Sequence, residues 1–186
     1  MIKPTYKTVK LQKGEIELIT SFKGENVGLL ELLFNGELEN FSEWIQNTLE
    51  AVLNSPASSQ NIAGNICELV ISGDLTQIYD LLSDEPPFEI PTKELHSLIR
   101  QWEKMYLCKE ILDICNRYKF GEYNIEEFKQ RLETANVPDK CYNSLEDEIY
   151  NACNALERII FSYPPKNQKP YADKIADDLI KKIENL

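Results

Sequence analysis

The sequence predicts an α+β fold, with an N-terminal antiparallel sheet that carries a packed helix, followed by a helical C-terminal half. Two observations support this prediction. Apolar and polar residues alternate early in the chain, as in half-buried strands, whereas apolar stripes recur at helical spacing throughout the second half. The 186 residues are 42% hydrophobic and 27% charged, which is typical of a globular protein with a buried core.

The pattern of apolar and polar residues over 6–34 predicts strands. Residues 9–12 alternate between apolar and polar, Lys13-Gly14 indicates a turn, and the alternation resumes from Ile16 to Phe22. A second turn leads into Val27 to Phe34, which is apolar at both parities and is typical of a strand covered on both faces. We therefore expect an antiparallel meander.

The apolar period changes at Ser42, which predicts a helix with this serine as its N-cap. Apolar residues recur at helical spacing from Trp44 to Leu53, and Ser55 begins a loop that ends the element. The charges on the opposite face are all negative, although opposite-charge pairs on a helix contribute about 0.2 to 0.5 kcal/mol each. Those acids are Glu39, Glu43 and Glu50.

Residues 66–82 have the pattern of a second hairpin. Two apolar runs flank Gly73-Asp74, a pair typical of a two-residue turn with positive φ. The spacing of Leu75, Ile78 and Leu82 also fits a helix, so both interpretations of residues 75–82 stay open. The prolines at 86 and 87 end either element.

The residue pattern from Thr92 onwards predicts helices. We expect Thr92 to cap a long helix that ends at Gly121, and Asn124 with Glu127 to begin a short one. A further apolar stripe runs from Cys141 to Tyr163. The last helix is expected to begin with Pro170 at its first position, where the missing N–H is tolerated.

The organisation predicted from these elements is an acidic α+β domain over residues 1–105 and a helical subdomain over residues 106–186. The helix after Thr92 crosses this boundary, so one continuous domain is the alternative. Because no apolar run follows the basic residues at the start, we expect no secretory signal, and the sequence has no apolar run of membrane-spanning length. Five cysteines without a Cys-x-x-Cys pair indicate buried free thiols, and we expect a cytoplasmic protein.

The charge of the chain is concentrated in one segment. The 69 residues from Gly24 to Thr92 contain 12 acids and no lysine, arginine or histidine, whereas the rest of the chain has 19 acids and 20 bases. This segment therefore accounts for the whole net charge of −11. Solubility alone can favour acids. A basic protein partner is the other explanation, because complementary charge speeds association and orients the complex.

Catalytic, metal and cofactor sites are not predicted. His96 is the single histidine and lies among core-spaced leucines, where a packing or surface role is the simpler interpretation. The glycines are scattered singly and match no phosphate-binding loop. Direct nucleic-acid binding is disfavoured by the net negative charge and by the lack of a basic stripe.

The region from Ile66 to Trp102 has a pattern of its own. The runs Ile66 to Ser72 and Leu75 to Leu81 flank Gly73-Asp74, and Phe88-Glu-Ile-Pro-Thr-Lys-Glu-Leu follows, with Trp102 in the next helix. This pattern resembles one that recurs in bacterial toxin-immunity proteins, including those paired with contact-dependent growth inhibition toxins. The resemblance implies a cytoplasmic protein, not an enzyme, that binds and blocks one cognate toxin, often a basic nuclease. No residue roles are inherited from it.

We therefore expect an immunity protein that docks a basic toxin domain on its acidic segment, with aromatic anchors among the acids. The expected contact residues are Glu39, Glu43, Glu50, Glu68, Asp74, Tyr79, Asp80, Asp84, Glu85 and Phe88. Two alternatives stay open: an acidic regulator or nucleic-acid mimic that binds a nucleic-acid-binding protein, and a small carboxylate-dependent enzyme, with or without a divalent metal. We expect no membrane partner, and the oligomeric state is left open.

Overall fold

The computed structural model describes residues 2–12, 15–137 and 139–185, with the side chains of residues 139–144 left out. In these residues the fold is α+β, as predicted: a two-stranded hairpin, a four-stranded antiparallel sheet and seven helices. The strands are β1 Pro4–Lys10, β2 Ile16–Phe22, β3 Gln60–Ala63, β4 Cys67–Ile71, β5 Leu75–Asp80 and β6 Phe88–Pro91. The helices are α1 Gly28–Gly36, α2 Leu38–Asn54, α3 Thr92–Leu107, α4 Lys109–Lys119, α5 Ile125–Glu133, α6 Asp139–Ser162 and α7 Pro165–Glu184.

The chain divides into two compact units. The first unit consists of Met1–Lys7 with Ile19–Glu103, and the second of Thr8–Leu18 with Lys104–Leu186. The second unit thus takes in the turn end of the β1–β2 hairpin as well as the helical region. The predicted turn at Lys13-Gly14 lies outside the described residues. The domains expected over residues 1–105 and 106–186 remain a prediction.

The four-stranded sheet of the first unit is a meander in the order β3-β4-β5-β6. In its register Leu69 pairs with Ile78, and Ile78 pairs with Phe88. Alternate residues on these strands are buried, which places Leu69, Ile71 and Ile78 on the core face. Residues 75–80 are therefore a strand, which decides between the two interpretations of this segment. The neighbouring β6 is only four residues long and was not predicted.

The strand predicted over Val27 to Phe34 is wrong, because the structure forms helix α1 there. Leu30, Leu33 and Phe34 are buried at i, i+3 and i+4, the spacing of one helix face. Leucine favours helix, and valine at position 27 is the single β-branched residue of the run. The apolar residues at both odd and even positions therefore belong to a helix with two partly covered faces. Because this segment is not a strand, the first strands form a two-stranded hairpin and not a three-stranded meander.

Two local predictions in the first unit need correction. Helix α2 begins at Leu38 and not at Ser42, because Glu37 separates it from α1 and takes the N-cap position. Neither Gly73 nor Asp74 has positive φ. The two-residue turn itself is present: Ser72 N donates to Leu75 O over 2.9 Å, and Leu75 N donates to Ser72 Oγ over 3.1 Å.

The second unit packs α4 to α7 around a core that includes a stacked pair, Tyr118 and Phe128, with ring centroids 4.2 Å apart. The predicted cap of α5 is confirmed, because Glu127 N donates to Asn124 Oδ1 over 2.8 Å. Two other predictions are wrong. The long helix breaks at Cys108, and Pro170 lies inside α7, which begins at Pro165.

The cysteines at 67, 108, 115 and 153 are buried free thiols, as predicted, and the side chain of Cys141 lies outside the described part. Burial raises the pKa of the Cys115 thiol to about 12. Within the described chain, no helix combines the length and the apolar character needed to cross a membrane.

Candidate protein-binding surface

An open groove of about 820 Å³ lies in the first unit between the start of α1 and the loop that joins β5 to β6. We call it the acidic groove. Its lining residues are Glu25, Asn26, Gly28, Leu29, Leu32, Asp80, Glu85, Pro86, Pro87, Phe88 and Glu89. The groove therefore unites three of the expected contact residues, Asp80, Glu85 and Phe88, with residues from a different part of the acidic segment.

The acidic groove combines negative charge with apolar lining residues. Four of its lining residues carry carboxylates, and none of them is basic. Helix α1 contributes Leu29 and Leu32, which lie one turn apart and are both half-buried. Such a surface matches a partner segment that mixes lysine or arginine with apolar side chains, because apolar burial supplies affinity and charge supplies orientation.

Hydrogen bonds from neutral donors hold two acids of the groove, Asp80 and Glu89. Asp80 Oδ1 accepts from Leu82 N over 2.8 Å, which shapes the start of the β5–β6 loop. Glu89 Oε1 accepts from Gln77 Nε2 over 2.7 Å, and Tyr79 Oη donates to the oxygen of the same amide over 3.1 Å. These bonds restrict the positions of both carboxylates, which reduces the ordering cost of binding.

The β5–β6 loop also exposes apolar side chains that the sequence analysis did not select. Leu82 is 77% exposed, and its neighbour Leu81 is exposed as well. Their spacing in the sequence fits either a strand or a helix, so periodicity could not reveal that they project from a loop. A large aliphatic side chain this exposed is a candidate anchor for a protein partner.

The other expected contact residues lie at separate places in the first unit. Glu68 and Tyr79 are directly paired across β4 and β5, on the face of the sheet opposite the core. Asp74 lies in the β4–β5 turn, at the other end of β5 from Asp80, and Asp84 is exposed in the β5–β6 loop.

The acids expected on the helix lie on α2. Glu39, Glu43 and Glu50 are all exposed there. Glu50 is engaged, because its Oε1 lies 3.1 Å from His96 Nε2. Trp44, on the same helix, is also exposed and packs edge to face against Phe41 with centroids 6.2 Å apart. The ten expected contact residues therefore do not form one compact patch, and their role in binding remains a prediction.

Glu37 is a buried acid that the sequence analysis did not single out. It is only 1% exposed, and its Oε1 accepts from Cys67 N over 3.1 Å and from Ile66 N. Its Oε2 is buried without a hydrogen-bond donor in the described chain. Burial, with the Glu37 and Asp80 carboxylates, raises the pKa of the Cys67 thiol to about 12. Glu37 thus ties the α1–α2 junction to the β3–β4 turn.

No group of three or more histidine, cysteine or acidic residues suited to a metal ion occurs in residues 2–12, 15–137 and 139–185, with the side chains of 139–144 excluded.

Comparison with known proteins gives the decisive relationship. An immunity protein from Bacillus cereus is 33% identical to this chain over 82 residues, a region that covers 42% of this chain and 70% of the relative.

This chain belongs to the same immunity protein family. No family model matches the sequence, and no solved structure matches it. Membership in an immunity protein family implies a cognate toxin as partner. The name of the Bacillus cereus protein does not describe that toxin, so the chemistry of the partner has to be inferred from the surface of this chain.

Proposed function

We propose that the protein binds and neutralises a cognate toxin with a basic, nuclease-type toxin domain, and that this domain docks on the acidic groove. The observation that supports this proposal is the groove itself, which four carboxylates and several apolar residues line together without a basic residue. The pattern from Ile66 to Trp102 resembles one in immunity proteins that include the partners of contact-dependent growth inhibition toxins. We therefore extend the proposal to a toxin of that type.

The proposed mechanism is occlusion and not catalysis. A nuclease domain carries cationic residues that bind phosphates, and these residues are complementary to a groove lined by Glu25, Asp80, Glu85 and Glu89. Complementary fields raise association rates to about 10⁸ to 10⁹ M⁻¹s⁻¹ at low salt. A protein that blocks a nuclease has to meet it where the nucleic acid is, so we place the complex in the cytoplasm.

The apolar residues of the groove favour a protein partner over nucleic-acid mimicry. A mimic needs carboxylates spaced along a line, as phosphates are, whereas Leu29, Leu32 and Phe88 line this groove together with its acids. Affinity between proteins concentrates in a few buried apolar anchors. Phe88 is half-buried at the edge of the sheet and is the aromatic residue best placed for that role.

The test uses the toxin candidate encoded by the reading frame upstream of this gene, provided that its C-terminal domain is rich in lysine. Growth protection and association rates are measured for the wild-type protein and for a variant with Glu25→Lys, Glu85→Lys and Glu89→Lys. A matched control carries Glu157→Lys, Asp178→Lys and Glu184→Lys, three exposed acids of the second unit, and so changes the net charge equally.

We expect the groove variant to lose growth protection and to associate at least roughly tenfold more slowly at low salt, while the control stays close to wild type. The difference should shrink at high salt, because screening weakens long-range attraction. Equal loss in both variants would mean that only net charge matters. A folded groove variant that protects as well as wild type would refute the docking site.

A further inference from the structure

The second unit contains a pocket of about 450 Å³ with a cationic wall, although the chain as a whole has a net charge of −11. Helices α4 and α5 and the end of the β1–β2 hairpin that belongs to this unit form it. Two acids, Glu110 and Asp113, also line the pocket, so bases outnumber acids there by four to two. The basic residues are Lys10, Lys109, Arg117 and Arg131.

Two of these bases are held in place by one aromatic ring. The Cζ atoms of Arg117 and Arg131 lie 4.9 and 4.3 Å from the centroid of the Tyr123 ring. Tyr123 is only 7% exposed, so the ring itself is fixed by its surroundings. Cation–π contacts of this kind restrict both guanidinium groups before any ligand arrives, which lowers the ordering cost of binding.

Both guanidinium groups keep donors for a ligand. Arg117 donates from Nε to Glu122 over 2.6 Å, and Arg131 donates from Nε and Nη2 to Glu127 over 3.1 and 2.8 Å. A guanidinium has five N–H donors, so these carboxylates leave several of them unused. Asp113 lies 3.8 Å from Arg117 Nη1, which is longer than a hydrogen bond.

We propose that this pocket binds a small organic phosphate. Arginine recognises phosphate through paired N–H donors, and lysine adds a compact positive charge. The pocket falls within the range of about 300 to 1,000 Å³ typical of small-molecule sites and is much larger than a phosphate group alone. Ile16 and Ile114 supply an apolar wall for the organic part, and Thr134 adds a hydroxyl group.

This site is separate from the toxin docking proposed above, because every lining residue belongs to the second unit. Ligand binding is measured by calorimetry on the full chain at low salt, with adenosine monophosphate, ribose phosphate and inorganic phosphate as probes. Adenosine, which lacks the phosphate, is the matched negative ligand. We expect saturable binding of both organic phosphates, weaker binding of inorganic phosphate and no binding of adenosine.

Three variants identify the pocket. Lys10→Gln and Lys109→Gln each remove one cation from the wall and should weaken binding of the organic phosphates roughly tenfold, as expected for the loss of one charge-assisted hydrogen bond. Lys174→Gln removes an exposed lysine from α7 outside the pocket and should leave binding unchanged. Thermal unfolding curves check that each variant is folded.

The proposal is overturned if neither organic phosphate binds the wild-type chain, or if adenosine binds as tightly as its phosphate. It is also overturned if Lys109→Gln binds like wild type, or if Lys174→Gln weakens binding as much as the pocket variants do. The last result would show that the ligand senses only the overall charge.

Discussion

Alanine at Gly64 is the sharpest test of how the buried acid Glu37 is held. A Cβ atom built on Gly64 would lie 2.7 Å from both the Cδ and the Oε2 atoms of Glu37. The carboxylate is fixed from the other side by its bonds to Ile66 N and Cys67 N. The buried carboxylate of Glu37 therefore occupies space that is open because residue 64 has no side chain. In Gly64→Ala the new methyl group overlaps with this carboxylate.

The size of the effect follows from these contacts. Overfilling a packed site costs about 1 to 3 kcal/mol. The carboxylate cannot rotate away cheaply, because a hydrogen bond to a charged acceptor contributes about 1.5 to 3 kcal/mol. Once Glu37→Ala has removed the carboxylate, Gly64→Ala should be neutral or should stabilise by about 0.4 to 1 kcal/mol, since Gly64 does not have positive φ and alanine restricts the unfolded chain.

Urea denaturation of the wild type, both single variants and the double variant gives the coupling free energy between the two positions. We expect Gly64→Ala and Glu37→Ala to be destabilising alone, and their combination to be less destabilising than the sum by about 1 to 3 kcal/mol. Additive effects within about 0.5 kcal/mol would refute the packing of Glu37 against Gly64. Alanine at Gly28, where a Cβ meets no other atom within 4 Å, is the matched glycine control.

Three further predictions concern the buried thiols, the cap of α5 and the core of the second unit. Burial raises the pKa of the Cys67 and Cys115 thiols from 9.0 to about 12, so the folded state retains protons that the unfolded state loses. The free energy of unfolding should therefore fall as the pH rises from 9 to 12. Peptide mapping should show that both thiols resist alkylation at neutral pH until the protein unfolds. Asn124→Ala should cost about 1 kcal/mol in urea denaturation and Asn124→Asp much less, because aspartate keeps the cap that Glu127 N uses. Phe128→Ala should cost about 3 to 5 kcal/mol, whereas Phe161→Ala, at an 82% exposed side chain, should stay within about 0.5 kcal/mol; similar losses at both positions would contradict the core assignment.

The fold could be predicted from the sequence wherever a single face of an element is buried. Alternation identified β2, and the cap at Asn124 identified the start of α5, because each signal is local. Prediction failed where a second face is also covered. In α1 the residues Leu29 and Leu32 line the acidic groove while Leu30 and Leu33 lie in the core, which removes the helical period from the sequence.

The candidate site was harder to predict than the fold, because it depends on which loops meet. The absence of bases between Gly24 and Thr92 indicated that the surface charge would be negative, but not the shape of that surface. Glu25 and Glu89 are far apart in the sequence, and the groove that they share with Asp80 exists because α1 lies beside the β5–β6 loop. Glu37 follows a run of leucines, and no local rule indicates that two amides from a later turn would bind its carboxylate.

Three acids of the first unit accept hydrogen bonds from neutral donors, which bears on the proposed docking of a basic toxin domain. In the first unit, Glu31 accepts from Phe22 N over 2.8 Å, and Glu37 and Glu89 likewise accept from an amide group. In the second unit, Lys182 donates to Glu148 over 2.8 Å, a pair whose charges cancel. Neutral donors fix these three carboxylates without placing a positive charge beside them, so their field stays available to a partner. In the proposed docking, a basic toxin domain supplies the positive charge. That domain should therefore bind less tightly to any variant in which lysine replaces a glutamate of the groove.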